Sequence, residues 1–255
     1  MSASAQVASV QDEAQRRARI DLAACHRLAA HFGFNEGIDN HMTMLVPGFT
    51  DRFYLAPFGL LWSEVKASDL LEVDFAGKLL AGRGLVEDTA LYIHASTHRL
   101  SSRACVLHTH MPYATALGMV AGGRLETASQ SAIGFHGNIA YVDYNGLALD
   151  FAEGERLARA LGDKPVGMLC NHGVLVTGSS VPEAFERLYF LERACQVQVL
   201  ALATGRALGV LPEPVVRATL EQFAHCGDVG GQDRAQLHFE ALKRMLDRQL
   251  ADYAS

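Results

Sequence analysis

The 255-residue chain has no excess of positive charge, no long apolar run and no closely spaced pair of cysteines. Its formal net charge of −6 leaves it without the basic surface of a nucleic-acid-binding protein, so we expect no nucleic-acid partner. No apolar run approaches the roughly 18 residues that cross a bilayer, and the N-terminal segment lacks the apolar core of a signal peptide. We therefore expect no membrane partner and a cytoplasmic location.

The sequence also lacks the cysteine motifs that are typical of metal or redox sites. No CxxC motif is present, and most cysteines lie among apolar residues: Cys25, Cys105, Cys170, Cys195 and Cys226. In a chain of this length that pattern is typical of reduced, buried thiols in a cytoplasmic protein. It disfavours a zinc–cysteine site.

The composition indicates an ordinary globular protein, with 49% apolar and 20% charged residues. Helical and strand-like runs alternate without a regular βαβ rhythm, and the sequence has no glycine-rich phosphate loop. The simplest fold is one three-layer α/β domain. We expect residues 1–205 to form its main part and residues 206–255 to be a helical extension of the same domain.

Apolar spacing predicts the individual elements. Helices are predicted at residues 11–32, 88–99, 113–120, 181–204, 215–225 and 237–250. Strands are predicted at residues 41–46, 51–55, 71–75, 105–108, 138–142, 166–169 and 175–177. The helix at 181–204 follows Ser180, a candidate N-cap, and has Pro182 in its first turn, where proline is favourable. The rest of residues 205–232 is expected to be irregular.

The sharpest local signal is the pair of histidines His108 and His110. Side chains at i and i+2 of a strand point to the same face, so both imidazoles can reach one metal ion. His172 lies between two apolar strand-like runs and beside a glycine, which makes it the natural third ligand. Three nitrogen ligands with open positions are typical of a catalytic metal site, although an isolated pair more often serves ordinary hydrogen bonding.

The other histidines are less informative. Four are expected at the surface or on helix faces: His26, His31, His225 and His238. Three remain open as residues that line the metal site: His94, His98 and His136.

Five stretches of the chain resemble motifs of the class II aldolase/adducin family and occur in that family's order. They are residues 35–41 (NEGIDNH), 56–60 (APFGL), 108–117 (HTHMPYATAL), 139–146 (IAYVDYNG) and 171–175 (NHGVL). The resemblance covers approximately residues 20–205. It implies a central, mostly antiparallel sheet covered by helices, and a homo-oligomer, often a tetramer, with active sites at subunit interfaces.

The resemblance also implies a cofactor. In the family's enzymes one divalent metal per subunit is held by the histidines that match His108, His110 and His172, and it stabilises an enediolate or related carbanion. Zinc is the favoured ion, and manganese, iron and cobalt stay open. Substrate contacts are predicted at Asn40, Pro57, Phe58, Gly59 and His94.

One region departs from the family's sugar-phosphate aldolases, which carry two hydroxyl residues and then a catalytic glutamate upstream of the histidine pair. An ungapped alignment from His108 places the hydroxyl pair at Glu87 and Asp88, and the glutamate at Thr89. Carboxylates there repel a phosphate dianion, which disfavours a sugar-phosphate substrate. A one-residue gap would bring Glu87 or Asp88 to the catalytic position, and helix capping is an equal alternative for both.

These patterns predict a metal-dependent carbon–carbon lyase for a small hydroxy- or keto-carboxylate, either aliphatic or aromatic. The substrate would chelate the metal, and cleavage would leave an enolate that the metal stabilises. Decarboxylation is slightly favoured over aldol cleavage because the aldolase glutamate is displaced. Candidate catalytic residues are His136, Tyr141, Thr89 and Glu87, and Phe58, Trp62, Phe135 and Tyr141 are candidates to wall an aromatic ring.

Two alternatives stay open. Three histidines also suit the iron of a non-heme oxygenase. An adducin-like member of the family would be a non-catalytic interaction module, although retention of His108, His110 and His172 argues against it.

Overall fold

The computed structural model describes residues 3–226, 228–229, 231–249 and 251–255. Its strands are β1 (His41–Leu45), β2 (Arg52–Leu55), β3 (Leu71–Asp74), β4 (Leu79–Ala81), β5 (Cys105–Thr109), β6 (Ile139–Val142), β7 (Val166–Leu169) and β8 (Gly173–Gly178). They form one sheet in the order β4-β3-β2-β1-β5-β8-β7-β6. A separate ribbon pairs β9 (Asp228–Val229) with β10 (Gln232–Asp233).

The helices of the described chain are α1 (Ala3–Phe32), α2 (Asp88–Ser101), α3 (Pro112–Met119), α4 (Gln130–Ile133), α5 (Phe151–Leu161), α6 (Val181–Leu202), α7 (Glu213–Cys226) and α8 (Arg234–Gln249). The start of α6 confirms the predicted cap, because the Ser180 hydroxyl accepts a hydrogen bond from the backbone N–H of Glu183. Among the described helices, none combines the length and hydrophobicity that crossing a membrane requires.

The alternation of side chains gives the sheet two covered faces. Met42 and Leu107 lie in a large apolar cluster with residues of α1, α3, α6 and α8. Val106, next to Leu107, and Phe53 of β2 face the other side, where two smaller clusters contain residues of α2 and α5. The predicted three-layer α/β fold with a mostly antiparallel sheet is therefore confirmed.

The single parallel pair of the large sheet, β6 with β7, marks a βαβ unit that was not predicted. Helix α5 makes the crossover and begins at Asp150, whose carboxylate accepts a hydrogen bond from the N–H of Glu153. Its buried residues recur three to four apart: Gly154, Leu157, Ala158 and Leu161. This spacing is a clear helical signal that the sequence-based prediction missed.

The C-terminal helix α8 buries Phe239 and Leu246 in the large cluster. The boundary at residue 205 remains a prediction. Three cysteines, Cys25, Cys105 and Cys195, are buried free thiols, as expected, and Cys170 is half-buried. The side chain of Cys226 lies outside the described residues.

Helices α2 and α5 approach each other closely at Gly154. A Cβ atom placed there would lie 2.1 Å from the backbone oxygen of Tyr92. We expect Gly154→Ala to destabilise the protein by about 1–3 kcal/mol, because the helices must separate, although alanine is intrinsically the better helix former. Chemical denaturation measures the change.

The matched control for this prediction is Gly209→Ala. Gly209 has no atom within 4 Å of the added methyl group. Its substitution should change the free energy of unfolding by less than about 0.5 kcal/mol. Equal effects of the two substitutions would contradict the close-contact explanation.

Candidate metal centre

Three histidines converge at one end of the central strands. His108 is in β5, His110 follows that strand, and His172 lies in the short turn between β7 and β8. One nitrogen from each lies within 4.8 Å of the others. The structure therefore brings together the three residues that the sequence predicted as metal ligands, at a spacing that a single ion can bridge.

The β7–β8 turn restricts which residue types can occupy two of its positions. Asn171 adopts a left-handed backbone conformation with φ of 60°, which asparagine tolerates better than most residues. At Gly173 a Cβ atom would lie 2.5 Å from the backbone oxygen of Thr109. These two positions hold His172 at the tip of a tight turn beside β5.

Hydrogen bonds orient two of the imidazoles. Nδ1 of His108 donates to the backbone oxygen of Val174 at 2.9 Å, which leaves Nε2 with its lone pair. Nδ1 of His110 lies 2.5 Å from the Glu36 carboxylate. Nε2 of His110 is buried and has no partner among the described residues. An unpaired buried nitrogen on an imidazole held by a carboxylate is the arrangement that metal-ligating histidines show.

The electrostatics also suit metal ligation. Burial lowers the pKa of His108 well below its usual range. Burial, and then the neighbouring His110, lower the pKa of His172 to about 4. Both imidazoles are therefore neutral near pH 7, as ligands must be. The residues present fit a divalent ion held by His108, His110 and His172.

A cavity of about 320 Å³ opens beside these histidines. Its wall is mostly apolar and includes Leu55, Pro57, Phe58, Leu60 and Trp62. Its charged lining residues are Asp39 and Glu87, and no described lysine or arginine lines it. The cavity therefore suits a small, partly apolar molecule better than a phosphate ester.

Most predicted substrate contacts lie at this cavity. Asn40, Pro57 and Phe58 line it, whereas Gly59 adjoins Phe58 without being part of the lining. Asn40 is nearly buried, and its Oδ1 accepts hydrogen bonds from the backbone N–H groups of His110 and Glu36. Its Nδ2 has no partner among the described residues, so it is a free donor at the cavity wall.

Glu87 and Thr89, two predicted catalytic residues, also line the cavity. The Glu87 carboxylate caps α2 by accepting hydrogen bonds from the N–H groups of Thr89 and Ala90. The Thr89 hydroxyl donates to the same carboxylate at 2.7 Å. The capping role is thus confirmed for Glu87, and it places the carboxylate in the cavity at the same time.

The structure does not bring the other two predicted catalytic residues to the cavity. His136 lies 3.7 Å from Glu213 of α7. Tyr141 is in β6, where its hydroxyl accepts a hydrogen bond from the N–H of Leu125 and its ring lies under Arg124. Of the four candidates for an aromatic wall, only Phe58 and Trp62 line the cavity.

Sequence reasoning missed two histidines that line the cavity. His26 was expected at the surface or on a helix face; it lies in α1, but it is fully buried and lines the cavity, so the surface position was wrong. It packs against Trp62, with ring centroids 5.1 Å apart, because residues that follow β2 in the chain cover this face of α1. His41 begins β1, directly opposite His108 of β5. The sequence placed His41 at the end of the motif of residues 35–41, and the strand register shows that it faces the site.

His41 is the first member of a buried hydrogen-bonded series. Its Nδ1 lies 2.8 Å from Nε2 of His94. Nδ1 of His94 lies 2.6 Å from the Thr43 hydroxyl, which lies 2.8 Å from Nε2 of His98. Nδ1 of His98 lies 2.7 Å from the backbone oxygen of Arg103. His94 and His98 therefore lie behind the cavity and do not line it.

The carboxylate of Glu36 gives a test of the metal centre. We expect Glu36→Gln to weaken zinc binding about 10–100-fold, because His110 loses the partner that orients it and raises its basicity. Calorimetric titration of metal-free protein with zinc measures the affinity. Asp39→Asn is the matched control, since it removes the same charge from the same loop, and equal losses in both variants would show a general charge effect only.

Buried His26 predicts a dependence of stability on pH. Burial lowers its pKa to about 4, against about 6.5 in the unfolded chain. Between these values the unfolded state binds the extra proton, so the stability that is complete above pH 6.5 is lost as the pH falls towards 4, by up to about 1.4 kcal/mol per pH unit. Chemical denaturation of metal-free protein across this pH range measures the free energy of unfolding. Its slope against pH should be smaller for His26→Gln than for wild type. An unchanged slope would contradict the buried neutral state.

The chain is similar to known proteins over nearly its whole length. Residues 20–199 match the family model described as Class II Aldolase and Adducin N-terminal domain. A Pseudomonas aeruginosa protein, provisionally named an aldolase class 2 protein, is 36% identical over 94% of this chain and 93% of its own length. Mouse alpha-adducin is 35% identical over 92% of this chain, which corresponds to 34% of alpha-adducin.

The chain is also similar to a solved structure over nearly its whole length. L-fuculose 1-phosphate aldolase from Glaciozyma antarctica superposes with a TM-score of 0.80 at 25% identity, over 94% of this chain and 92% of the aldolase. The fold is thus shared with this aldolase, whereas the cavity of this chain has acidic residues and no described lysine or arginine in its lining.

Proposed function

Because this chain belongs to the class II aldolase and adducin N-terminal domain family, we propose that it is a divalent-metal-dependent carbon–carbon lyase. The observation that carries the proposal is the convergence of His108, His110 and His172 at an open cavity, with a buried and unpaired nitrogen on His110. A non-catalytic module has no need of an unpaired buried nitrogen, which costs free energy unless a ligand satisfies it.

The proposed substrate is a small carboxylate with an adjacent hydroxyl or keto oxygen. A divalent ion at the three histidines would bind two such oxygens and stabilise negative charge that develops on cleavage. Nδ2 of Asn40 is the free donor that would hold one of those oxygens. Phe58 and Trp62 would pack against the apolar part of the molecule, and exclusion of water there strengthens every polar contact.

The charges of the cavity support a carboxylate over a phosphate ester. Glu36, Asp39 and Glu87 make the region acidic, and no described lysine or arginine compensates among the lining residues. A bound divalent ion would offset one substrate carboxylate, but a phosphate dianion would lie close to these side chains. Zinc is the ion proposed, since imidazole nitrogen suits it, and manganese, iron and cobalt are the other ions to be tested.

The proposal includes a homo-oligomer, with a tetramer favoured, and a cytoplasmic location. An oligomer is supported by the family resemblance, which implies active sites at subunit interfaces. Within one chain His136 and Tyr141 lie away from the cavity. If they act in catalysis, they would do so from a neighbouring subunit.

The first experiment is elemental analysis of purified protein combined with a turnover screen. Hydroxy-aromatic acids and keto acids are assayed for release of carbon dioxide and, separately, of aldehyde. Carbon dioxide indicates the decarboxylase that the displaced glutamate favours, and aldehyde indicates aldol cleavage. Turnover that stops without oxygen indicates an iron oxygenase instead.

Substitution of a proposed ligand tests the role of the metal. We expect His172→Ala to lose bound metal and about 1000-fold or more in kcat, because several kcal/mol of transition-state stabilisation disappear. His225→Ala, a substitution at an exposed histidine of α7, should keep both. Substoichiometric metal in the wild type that His172→Ala leaves unchanged would point to a non-catalytic adducin-like module.

A further inference from the structure

The buried series that starts at His41 has no part in metal ligation, yet it ends at the cavity. Its members His41, Thr43, His94 and His98 are all buried between the sheet and α2. Polar groups this deeply buried are costly unless every hydrogen bond is satisfied. The direction of each bond in the series therefore follows from its chemistry.

The far end of the series fixes the first direction. The backbone oxygen of Arg103 can only accept, so Nδ1 of His98 must carry the proton. In a neutral imidazole the other nitrogen is then an acceptor, and the Thr43 hydroxyl must donate to Nε2 of His98. Thr43 has no second proton, so its oxygen accepts from Nδ1 of His94.

The same logic continues to the cavity. Since Nδ1 of His94 carries the proton, its Nε2 is an acceptor, and Nδ1 of His41 must donate to it. Nε2 of His41 is left with a lone pair. This is the only arrangement that satisfies every bond while all three imidazoles are neutral.

The lone pair of His41 has no strong donor within the described chain. The Thr89 hydroxyl lies 3.4 Å from Nε2, but its single proton is engaged by Glu87 at 2.7 Å. The Glu87 carboxylate, another acceptor, lies 3.7 Å from the same nitrogen. Nε2 of His41 and the Glu87 carboxylate are thus two acceptors side by side at the cavity. A bound ligand would have to supply the hydrogen-bond donor. The His41 ring lies 4.8 Å from that of His108, so this donor would sit beside the metal ligands.

We propose that Nε2 of His41 accepts a hydrogen bond from a hydroxyl group of the substrate, and that Thr43, His94 and His98 are positioning residues that hold His41 in this tautomer. The inference rests on the proposed lyase function and names its substrate class. The substrate is an α-keto acid that carries a hydroxyl on the carbon β to its keto carbon. The carboxylate and keto oxygens would bind the metal, and the hydroxyl would bind His41.

This substrate class favours aldol cleavage over decarboxylation. The O–H bond breaks, its proton passes to Nε2 of His41, and its electron pair forms the carbonyl group of an aldehyde. The bond between the hydroxyl-bearing carbon and the carbon α to the keto carbon breaks, and its electron pair stays on the α-keto acid fragment as an enolate. Return of the proton to that carbon completes the second product, so no external oxidant or reductant is needed.

The tautomer can be measured directly in the full-length protein. Histidine labelled with ¹⁵N gives distinct nitrogen shifts for protonated and unprotonated ring nitrogens, and the spectrum of His41→Gln identifies the His41 signals. We expect a proton on Nδ1 of His41 and none on Nε2 in metal-free wild type. A proton on Nε2, directed at Glu87, would overturn the proposal without bearing on the metal centre.

Substitutions at Thr43 separate positioning from general structure. Thr43→Val should break the series and leave His41 as a mixture of tautomers, whereas Thr43→Ser should keep the wild-type shifts. Zinc affinity should stay within about twofold in both variants, since neither touches the three ligands. A wild-type His41 spectrum in folded Thr43→Val would overturn the positioning role, and loss of zinc binding in wild type would instead refute the proposed function.

The requirement for a hydroxyl is tested with two ligands. Zinc-loaded protein should bind γ-hydroxy-α-ketobutyrate about tenfold more tightly than α-ketobutyrate, which lacks only the hydroxyl, and His41→Ala should remove the difference. Release of formaldehyde and pyruvate from the hydroxylated compound should fall about 100-fold or more in Thr43→Val and recover in Thr43→Ser. Equal binding of the two ligands by wild type, or carbon dioxide as its product, would overturn the assignment.

Discussion

The antiparallel register of β5 between β1 and β8 is the constraint on which the candidate site depends. It sets His108 opposite His41 on one side and opposite Leu175 on the other. The same register brings the backbone oxygen of Val174 to Nδ1 of His108. A slip of one residue would turn His108 to the opposite face of the sheet, and all of these contacts would be lost at once. The apolar neighbours Leu107 and Val106 prevent that slip, because each fills a different core.

Periodicity in the sequence predicted most of the local structure. The strand that carries His108 and the cap at Ser180 follow from spacing within a few residues, whereas helix α5 has a signal of the same kind and was missed. The cavity residues that were missed depend on contacts between distant segments. His41 reaches the cavity through the register of β1 with β5, and His26 reaches it where α1 packs against Trp62.

Two predicted catalytic residues lie away from the cavity of the same chain for a similar physical reason. Tyr141 belongs to a stretch that resembles a family motif, but β6 is the edge strand farthest from β1 on its side of the sheet. His136 lies just before that strand and pairs with α7. Proximity in sequence to a motif therefore did not imply proximity to the cavity. Glu87 is the opposite case, because the carboxylate that caps the start of α2 also lines the cavity.

The hydrogen bond between His108 and Val174 joins positions 66 residues apart in the chain. A centre assembled from segments so distant cannot exist before the long-range strand pairs have closed, and such pairing is the slow part of folding. An ion that binds only the assembled centre would stabilise the folded state in proportion to the logarithm of its free concentration. Metal supply would then influence how long each newly made chain survives proteolysis.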